Sequence, residues 1–379
     1  MSAGLASHTN LATPAVDAAG LLAGVRMRAR AELAPIADAI DHQGVYPAEA
    51  MTSLGQAGAF SAHLGGHTKL AVPDMAVAIQ AMAAVGAECM STAFCAWCQD
   101  ASGWYLENSE NTTLRNKLLG DIASGAVMAG TGMSNPMKTL AGFEGFKLKA
   151  QRAEGGYVVS GVLPWVSNLG DGHWFATVIQ DAADERHLMF AMIRCGQPGV
   201  EIRQNARFIA LEGTGTYSVL FRRAFIADEM MLADPVADAV GKILPGVILL
   251  QTGMGLGVIE ACIGLMRESN QSQGAANRYL PRGPSYYEDA MAAALAEISS
   301  LAATPTDTST DYLRKVLTVR LAASELTLDA GQSALLHAGA RGYLAGSAVS
   351  RRMREGYFVA IVTPSIRHLR KELARLAGS

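Results

Sequence analysis

Three short segments of the sequence combine residue types that could support a reaction. Ser134-Asn135-Pro136 and Trp165-Val166-Ser167 supply hydroxyl groups and one large indole face, which can pack a planar ring and hydrogen-bond its edge. Thr363-Pro364-Ser365 interrupts an apolar run just before a basic segment. Taken alone, Trp165 is typical of a strand core residue and the serines of turn caps. Thr363 followed by Pro364 predicts the N-cap and first residue of a helix.

Cysteine and histidine pairs suggest redox or metal chemistry only weakly. Cys95 and Cys98 are spaced as in a redox motif, but they lie in an apolar helical pattern with no second pair, which favours core thiols. His63 and His67 are separated by a leucine and two glycines, which break the helix that a metal-binding pair at this spacing needs. We expect no metal site.

Composition limits the classes of partner. The chain has 379 residues, 50% hydrophobic and 17% charged, with a formal net charge of -3, so it can bury a large core but has no field that attracts nucleic acid or an anionic membrane. The five cysteines form no disulfide framework, and the first residues lack the pattern of a signal peptide. We therefore expect a cytoplasmic protein that binds neither nucleic acid nor membrane.

The order of elements predicts an α+β protein that is mostly α. Residues 15–125 show helical apolar stripes, residues 126–238 show short β-branched runs with a hairpin turn at 154–156, and residues 239–379 return to the helical period. Residues 1–14 form a predicted tail. The apolar window at 243–266 is long enough to span a membrane, but its proline, glutamine and glutamate favour a buried bundle helix with glycines for close packing. Separated runs of this kind form α and β domains.

Several motifs, in order, resemble the acyl-CoA dehydrogenase family over nearly the whole chain. Ser134-Asn135-Pro136 occupies the place of the family's Thr-Glu-Pro motif, and Trp165-Val166-Ser167-Asn168 resembles its Trp-Ile-Thr-Asn strand. The segment 339–355 keeps the spacing of the family's glycine-rich turn and Arg-x-x-Arg-Asp motif. The resemblance implies an N-terminal helical domain, a middle β-barrel-like domain and a C-terminal four-helix bundle.

The resemblance also implies a flavin, held between the β domain and the C-terminal helices and completed by a neighbouring subunit. FAD is the expected cofactor, with FMN as an alternative. Flavin contacts are implied at the following residues of this chain: Met133, Ser134, Trp165, Ser167, Gln273, Gly339 and Ser365. A homodimer or homotetramer and a small-molecule substrate, such as an acyl-CoA, are implied as well.

The catalytic base of the family is missing at both of its usual positions. Counting from Arg354, the C-terminal glutamate position falls on Thr363, and the alternative position on another helix falls on Val247. A hydroxyl or an isopropyl group cannot remove a proton as a carboxylate does. Glu355 and His337 are candidate substitutes, with Glu260 and His368 behind them. Glu355 is expected to pair with Arg351 or Arg354.

Another departure concerns the flavin pyrophosphate. Gln273 replaces the arginine that touches it across the subunit boundary in the family, and Arg278 or Arg282 could restore the charge. The resemblance thus implies a flavin-dependent oxidoreductase acting at the CH–CH group of an acyl thioester or similar substrate, and the departures imply a displaced or missing base. A flavin monooxygenase of the same fold and a catalytically silent partner subunit are the two alternatives.

Overall fold

The protein is described by a computed structural model over residues 16–236 and 239–378, so the predicted tail at 1–14 lies outside the described residues. Helices, then strands, then helices follow one another along the chain, as the sequence predicts. The predicted α+β class is confirmed.

The helices before residue 125 pack around one buried core. They are α1 (Ala18–Glu32), α2 (Ala37–Gln43), α3 (Ala48–Ala57), α4 (Met75–Glu88), α5 (Met90–Glu107) and α6 (Thr112–Ser124). Helix α5 is buried from Met90 to Leu106, which is typical of a helix enclosed on every side by other elements. Side chains of Asp17, Asp74 and Asn111 accept hydrogen bonds from the first turns of α1, α4 and α6 and so fix where these helices begin.

The middle of the chain forms one mixed sheet with a short helix. Its strands are β1 (Ala129–Thr131), β2 (Leu148–Ala153), β3 (Gly156–Val166), β4 (Trp174–Asp181), β5 (Leu188–Arg194), β6 (Val200–Arg203), β7 (Tyr217–Ala227) and β8 (Met231–Ala233), and α7 (Ser134–Leu140) follows β1. The strand order is β6-β7-β3-β2-β4-β5-β8, with β1 paired to β4. The predicted hairpin is confirmed, because β2 and β3 are antiparallel with Ala153 opposite Gly156 and Gly155 has the positive φ of a tight turn.

The remaining helices form the C-terminal layer. They are α8 (Ala239–Leu250), α9 (Thr252–Asn277), α10 (Pro284–Ala302), α11 (Thr310–Ala338), α12 (Ala348–Ile361) and α13 (Ile366–Ala377). The apolar window that the sequence predicts as one helix is divided at Gln251, between α8 and α9. The stretch Ala239–Asn277 is long and apolar enough to cross a membrane, and 89% of its most apolar window is buried inside the protein.

Two glycines let α9 lie against α4. A Cβ atom on Gly253 would come within 2.6 Å of the carbonyl oxygen of Ile79, and one on Gly257 within 2.5 Å of that of Ala83. No side chain fits at such distances, so the backbones of the two helices meet directly. This agrees with the interpretation of the window as a buried bundle helix.

A buried glutamine on α5 fastens the sheet to the first helices. Gln99 Oε1 accepts hydrogen bonds from Ala129 N at 2.8 Å and from Asn168 Nδ2 at 3.2 Å. Its Nε2 donates to the carbonyl oxygens of Ile122 at 2.8 Å and Val127 at 2.6 Å. A buried polar group whose partners are all in place fixes one geometry. The start of β1 and the end of β3 are therefore held beside α5.

Candidate functional site

A cavity of about 520 Å³ lies where the ends of β1 and β3 face α5 and α12. Five residues singled out from the sequence line it together: Met133, Ser134, Trp165, Ser167 and Thr363. Residues from the sheet and from the C-terminal helices thus meet around one space. Its size is within the range of small-molecule and cofactor pockets.

Strand β1 and helix α7 form one side of the cavity. Thr131 pairs with Ser167 through an isolated antiparallel bridge, and the hydroxyl oxygens of Thr131 and Tyr105 lie 2.9 Å apart. The buried Met133 then leads into α7, where Ser134 Oγ lies 3.1 Å from Thr363 Oγ1. Thr131, Met133 and Ser134 therefore all line this side of the cavity.

The end of β3 supplies the indole. Trp165 is 52% exposed although it lines a cavity, and its ring meets that of Phe208 edge-on with centroids 6.2 Å apart. Ser167, two residues along the strand, places its Oγ 2.6 Å from Thr216 Oγ1. An aromatic face beside a row of hydroxyls can hold a flat polar ring on one side and along its edge.

Close approach of two backbones sets the distance between these elements. A Cβ atom on Gly130 would lie 2.2 Å from the carbonyl oxygen of Ser167, so β1 can approach β3 only because glycine occupies this position. Asn168, the residue after Ser167, has a φ of 63°. Its Nδ2 donates to the carbonyl oxygen of Ala129 at 2.8 Å. Tyr46 OH donates to Asn168 Oδ1 at 2.6 Å.

Aromatic side chains enclose the end of the cavity opposite the sheet. The rings of Phe94 and Trp97 on α5 are stacked with centroids 5.7 Å apart, and Phe94 meets Phe358 of α12 edge-on at 4.6 Å. Tyr357 and Ile361 extend this wall along α12. An apolar compartment therefore adjoins the hydroxyl-lined side.

The segment at Thr363 differs from its prediction. Helix α12 ends at Ile361, the Thr363-Pro364 peptide bond is cis, and the N-cap of α13 is Ser365, whose side chain accepts from His368 N. The prediction of Thr363 as N-cap and Pro364 as first helical residue is wrong by two positions. Because the hydroxyl of Thr363 is not used as a cap, it is free to face Ser134 in the cavity.

The charged residues at the cavity are all cationic. Lys138, Arg207 and Arg354 line it, and no Asp, Glu or His belongs to the part of its lining that the structure describes. Arg354 Nη1 donates to Asp41 at 2.8 Å and to the carbonyl oxygen of Ile209 at 2.8 Å; this ion pair raises the pKa of Arg354. Lys138 and Arg207 leave positive charge at the rim.

The proposed substitutes for the base lie outside this lining. Glu355 is buried and accepts from Arg352 Nη1 at 2.8 Å, so the expected pairing with Arg351 or Arg354 is wrong. Arg352 precedes Glu355 by three positions on α12, and side chains at this spacing lie on the same face of a helix. His337 Nδ1 contacts the carbonyl oxygen of Ser333 at 2.8 Å at the end of α11.

Val247, the second empty base position, and the remaining candidate bases, Glu260 and His368, also contact other parts of the protein. The carbonyl oxygen of buried Val247 accepts from Trp97 Nε1 at 3.2 Å. Glu260 forms an ion pair with Arg26, and His368 lies edge-on to Phe143, where burial lowers its pKa. None of the three lines the described cavity.

Three predicted flavin contacts lie apart from the cavity within one chain. Gln273 is exposed on α9, Gly339 is exposed after α11 with φ of 58°, and Ser365 caps α13. Near Gln273, Arg282 is paired with Asp329 and Arg278 lies over the ring of Tyr279. The role of these residues toward a neighbouring subunit stays a prediction.

The cysteine and histidine pairs have ordinary core environments. All five cysteines are free and buried, and burial raises the pKa of the Cys95 and Cys98 thiols. His63 is buried with Nε2 3.1 Å from the carbonyl oxygen of Asp100, and burial lowers its pKa to about 4. The interpretation of the cysteines as core thiols agrees with this arrangement.

Sequence reasoning missed several residues of the cavity. Thr214 and Thr216 continue the row of hydroxyls from Ser167, with their Oγ1 atoms 2.7 Å apart. Phe94 and Trp97 are spaced three apart on one face of α5, a pattern that signals neighbouring rings. That spacing was visible in the sequence, whereas the Thr-Gly-Thr turn gave no signal beyond a loop.

The comparisons with known proteins agree with this architecture. A family profile described as acyl-CoA dehydrogenase, N-terminal domain, matches residues 17–126. The chain is 24% identical over 238 residues to benzylmalonyl-CoA dehydrogenase of Aromatoleum aromaticum, and the match covers 61% of this chain and 62% of that protein. Residues 17–126 thus match the N-terminal domain of acyl-CoA dehydrogenases, and the chain is similar to a member of that family over a wider range.

Solved structures of acyl-CoA dehydrogenases share the fold. Butyryl-CoA dehydrogenase from Megasphaera elsdenii matches with a TM-score of 0.84 at 15% identity, covering 100% of both chains. A glutaryl-CoA dehydrogenase from Mycobacterium smegmatis, in complex with FADH2, matches with a TM-score of 0.78 at 16% identity, covering 96% of each chain. At such identities these acyl-CoA dehydrogenase structures establish a common fold.

Substitution of Gly130 by alanine tests the backbone contact that shapes the cavity. The added Cβ would collide with the Ser167 carbonyl oxygen, so we expect Gly130→Ala to lower the free energy of unfolding by roughly 1–3 kcal/mol. Gly145→Ala is the matched control, because no heavy atom lies within 4 Å of its added Cβ. Urea unfolding measures both; equal stabilities would contradict the described approach of β1 to β3.

Proposed function

We propose that this protein is a flavin-dependent oxidoreductase whose flavin ring rests on Trp165. The observation that carries the proposal is the half-exposed indole at the wall of an apolar cavity, beside the hydroxyls of Ser134, Ser167 and Thr131. An isoalloxazine ring needs an apolar face and a few donors along its edge. The residues present fit such a ring.

The substrate would occupy the aromatic side of the cavity. Phe94, Tyr357 and Phe358 offer apolar surface, which can bury an acyl group and exclude water from it. The cations Lys138 and Arg207 at the rim suit an anionic carrier or substituent on the substrate. When bound, a flavin would accept a hydride from the substrate.

By likeness to its relatives, the reaction we propose is oxidation of a CH–CH group next to the carbonyl of an acyl thioester or similar compound. Thr363 and Ser134 can hydrogen-bond a substrate carbonyl but cannot remove its α-proton, since an aliphatic hydroxyl is not basic at neutral pH. The proton would have to pass to water or to a group of the substrate.

A second candidate, a flavin monooxygenase, is favoured by one observation. The described lining of the cavity contains six serine and threonine hydroxyls and three cations but no carboxylate or imidazole. A reaction of a reduced flavin with oxygen does not need a base that takes an α-proton. FAD as the cofactor, a homo-oligomeric state and a cytoplasmic location stay predictions from the sequence.

Flavin binding is the first test. We expect the wild-type protein to bind added FAD, with a changed absorbance spectrum, and Trp165→Ala to weaken binding by about tenfold or more, roughly 1.4 kcal/mol, through loss of the ring contact. Phe225→Ala is the control, because Phe225 is exposed on β7 and does not line the cavity. If Trp165→Ala binds FAD as tightly as the control, the proposed ring position is wrong.

Turnover separates the two candidate reactions. The FAD-loaded protein is mixed anaerobically with short-chain and aromatic acyl-CoA compounds, and separately with a flavin reductase, NADH and oxygen plus the same compounds. Anaerobic loss of the flavin absorbance supports CH–CH oxidation. Oxygen-dependent incorporation into product supports the monooxygenase. Inactivity of a flavin-loaded protein in both arms would contradict both and favour a silent partner subunit.

Restoring a carboxylate at residue 363 tests the missing base. Since Thr363 lines the cavity beside Ser134, we expect Thr363→Glu to accelerate anaerobic flavin reduction by acyl-CoA by about 10²- to 10⁴-fold, the usual contribution of a general base. Thr363→Gln has the same size without the basic group and should give no gain. Equal rates for the two variants would show that residue 363 does not face the α-carbon.

A further inference from the structure

A fully buried arginine lies behind the cavity without an acidic partner. Arg320 of α11 has 0% relative exposure, and its guanidinium donates to Gln251 Oε1 at 3.1 Å, to Ser324 Oγ and to the carbonyl oxygen of Val359 at 3.0 Å. All three partners are neutral. Buried arginines are ordinarily paired with carboxylates, because desolvation of an unpaired charge is costly.

The positive charge is retained at neutral pH. Burial lowers the pKa of Arg320 to about 10, and no nearby carboxylate counters this effect. Among the described residues, no ion pair includes Arg320, and the glutamate nearest along α11, Glu325, pairs with Arg370 on the exposed side. One unit of positive charge therefore lies in the interior with no carboxylate partner among the described residues, bonded to a carbonyl in the last turn of α12.

Hydrogen bonds connect this charge to the cavity wall. Gln251, at the break between α8 and α9, accepts from Arg320 and donates from Nε2 to the carbonyl oxygen of Thr363 at 2.9 Å. Val359, the other acceptor, lies between Phe358 and Ile361, which line the cavity. The guanidinium thus holds the last turn of α12 and the segment after it from behind.

We propose that Arg320 is a positioning residue that fixes Thr363 through Gln251 and makes the cavity favourable for negatively charged species. This inference rests on the proposed function, because the species in question is a flavin that gains negative charge on reduction. A preorganised charge in a water-poor site acts strongly on such a change. A purely structural arginine would hold the same segment without affecting the charge balance.

Variants in two positions separate charge from packing. Arg320→Met removes the charge at similar length, and Arg320→Lys keeps it. Gln251→Glu places a carboxylate against Arg320 and neutralises its charge, but a carboxylate cannot donate to the carbonyl oxygen of Thr363. Gln251→Met also loses the bond to Thr363, together with the bond to Arg320, and leaves the charge of Arg320. Replacement of a buried charge by an apolar side chain is often tolerated, so Arg320→Met should fold, and Gln251→Glu carries the test if it does not.

The readout is the midpoint potential of the FAD-loaded protein, measured by equilibration with reference dyes. We expect Arg320→Met and Gln251→Glu to shift the potential in the negative direction, with the equilibrium constant for reduction lowered on the order of tenfold. Arg320→Lys and Gln251→Met should stay near the wild-type value. Thermal melting and circular dichroism confirm that each variant is folded.

The outcomes distinguish this inference from the proposed function. If wild-type protein binds no FAD, the proposed function fails and the inference fails with it. If wild-type and folded variants all bind FAD and the charge-removing variants keep the wild-type potential, the role of Arg320 is overturned while the proposed function stands. A shift in Gln251→Met as large as in Gln251→Glu would overturn the electrostatic effect of Arg320, because loss of the bond to Thr363 would then explain both shifts.

Discussion

The contact between the backbone of Gly130 and the carbonyl of Ser167 is the constraint on which the site depends. It brings β1 against the end of β3 more closely than any side chain would allow, and Gln99 and Asn168 hold the two strands in that position by buried hydrogen bonds. Trp165 before this junction on β3 and the Thr131-to-Ser134 turn after β1 both line the cavity. The C-terminal helices then complete the enclosure.

The resulting cavity combines hydroxyls, aromatic rings and positive charge. Ser134, Ser167 and Thr363 supply hydrogen-bonding groups, and Lys138 and Arg207 stand at the rim while Arg320 lies behind the wall. Positive charge of this kind suits anionic groups, but the described lining contains no carboxylate or imidazole that could accept a proton from carbon. The redox chemistry that we propose for this cavity would therefore depend on a bound cofactor more than on acid–base groups of the chain.

The sequence predicted the elements that carry this site better than its finer contacts. Trp165, Ser167 and Ser134 are predicted as site residues only through the resemblance to the acyl-CoA dehydrogenase motifs, because their residue types alone favour a strand core residue and turn caps. The cap at Thr363 was misplaced, since N-cap preference does not reveal that Ser365, two residues later, is better placed to bond the first turn of α13. The partner of Glu355 was misjudged because Arg351, Arg352 and Arg354 are equivalent in sequence, and only the rotation of α12 selects Arg352.

Tertiary packing also decided what periodicity could not. Helices α8 and α9 are divided at Gln251, within an apolar run that looks continuous in the sequence. The side-chain amide of Gln251 hydrogen-bonds both Arg320 and the carbonyl oxygen of Thr363. Arg320 itself lies in a stretch with Arg314 and Lys315 and resembles them in sequence, although they are exposed in ion pairs with Asp311 and it is fully buried.

The most direct measurement is a crystal structure of the protein grown with FAD. The account predicts continuous density for the isoalloxazine ring stacked on the indole of Trp165, with Ser167 and the Met133–Ser134 backbone along its edge and Thr363 facing the substrate side. A cavity filled by repacked side chains, or a flavin bound at another surface, would contradict it.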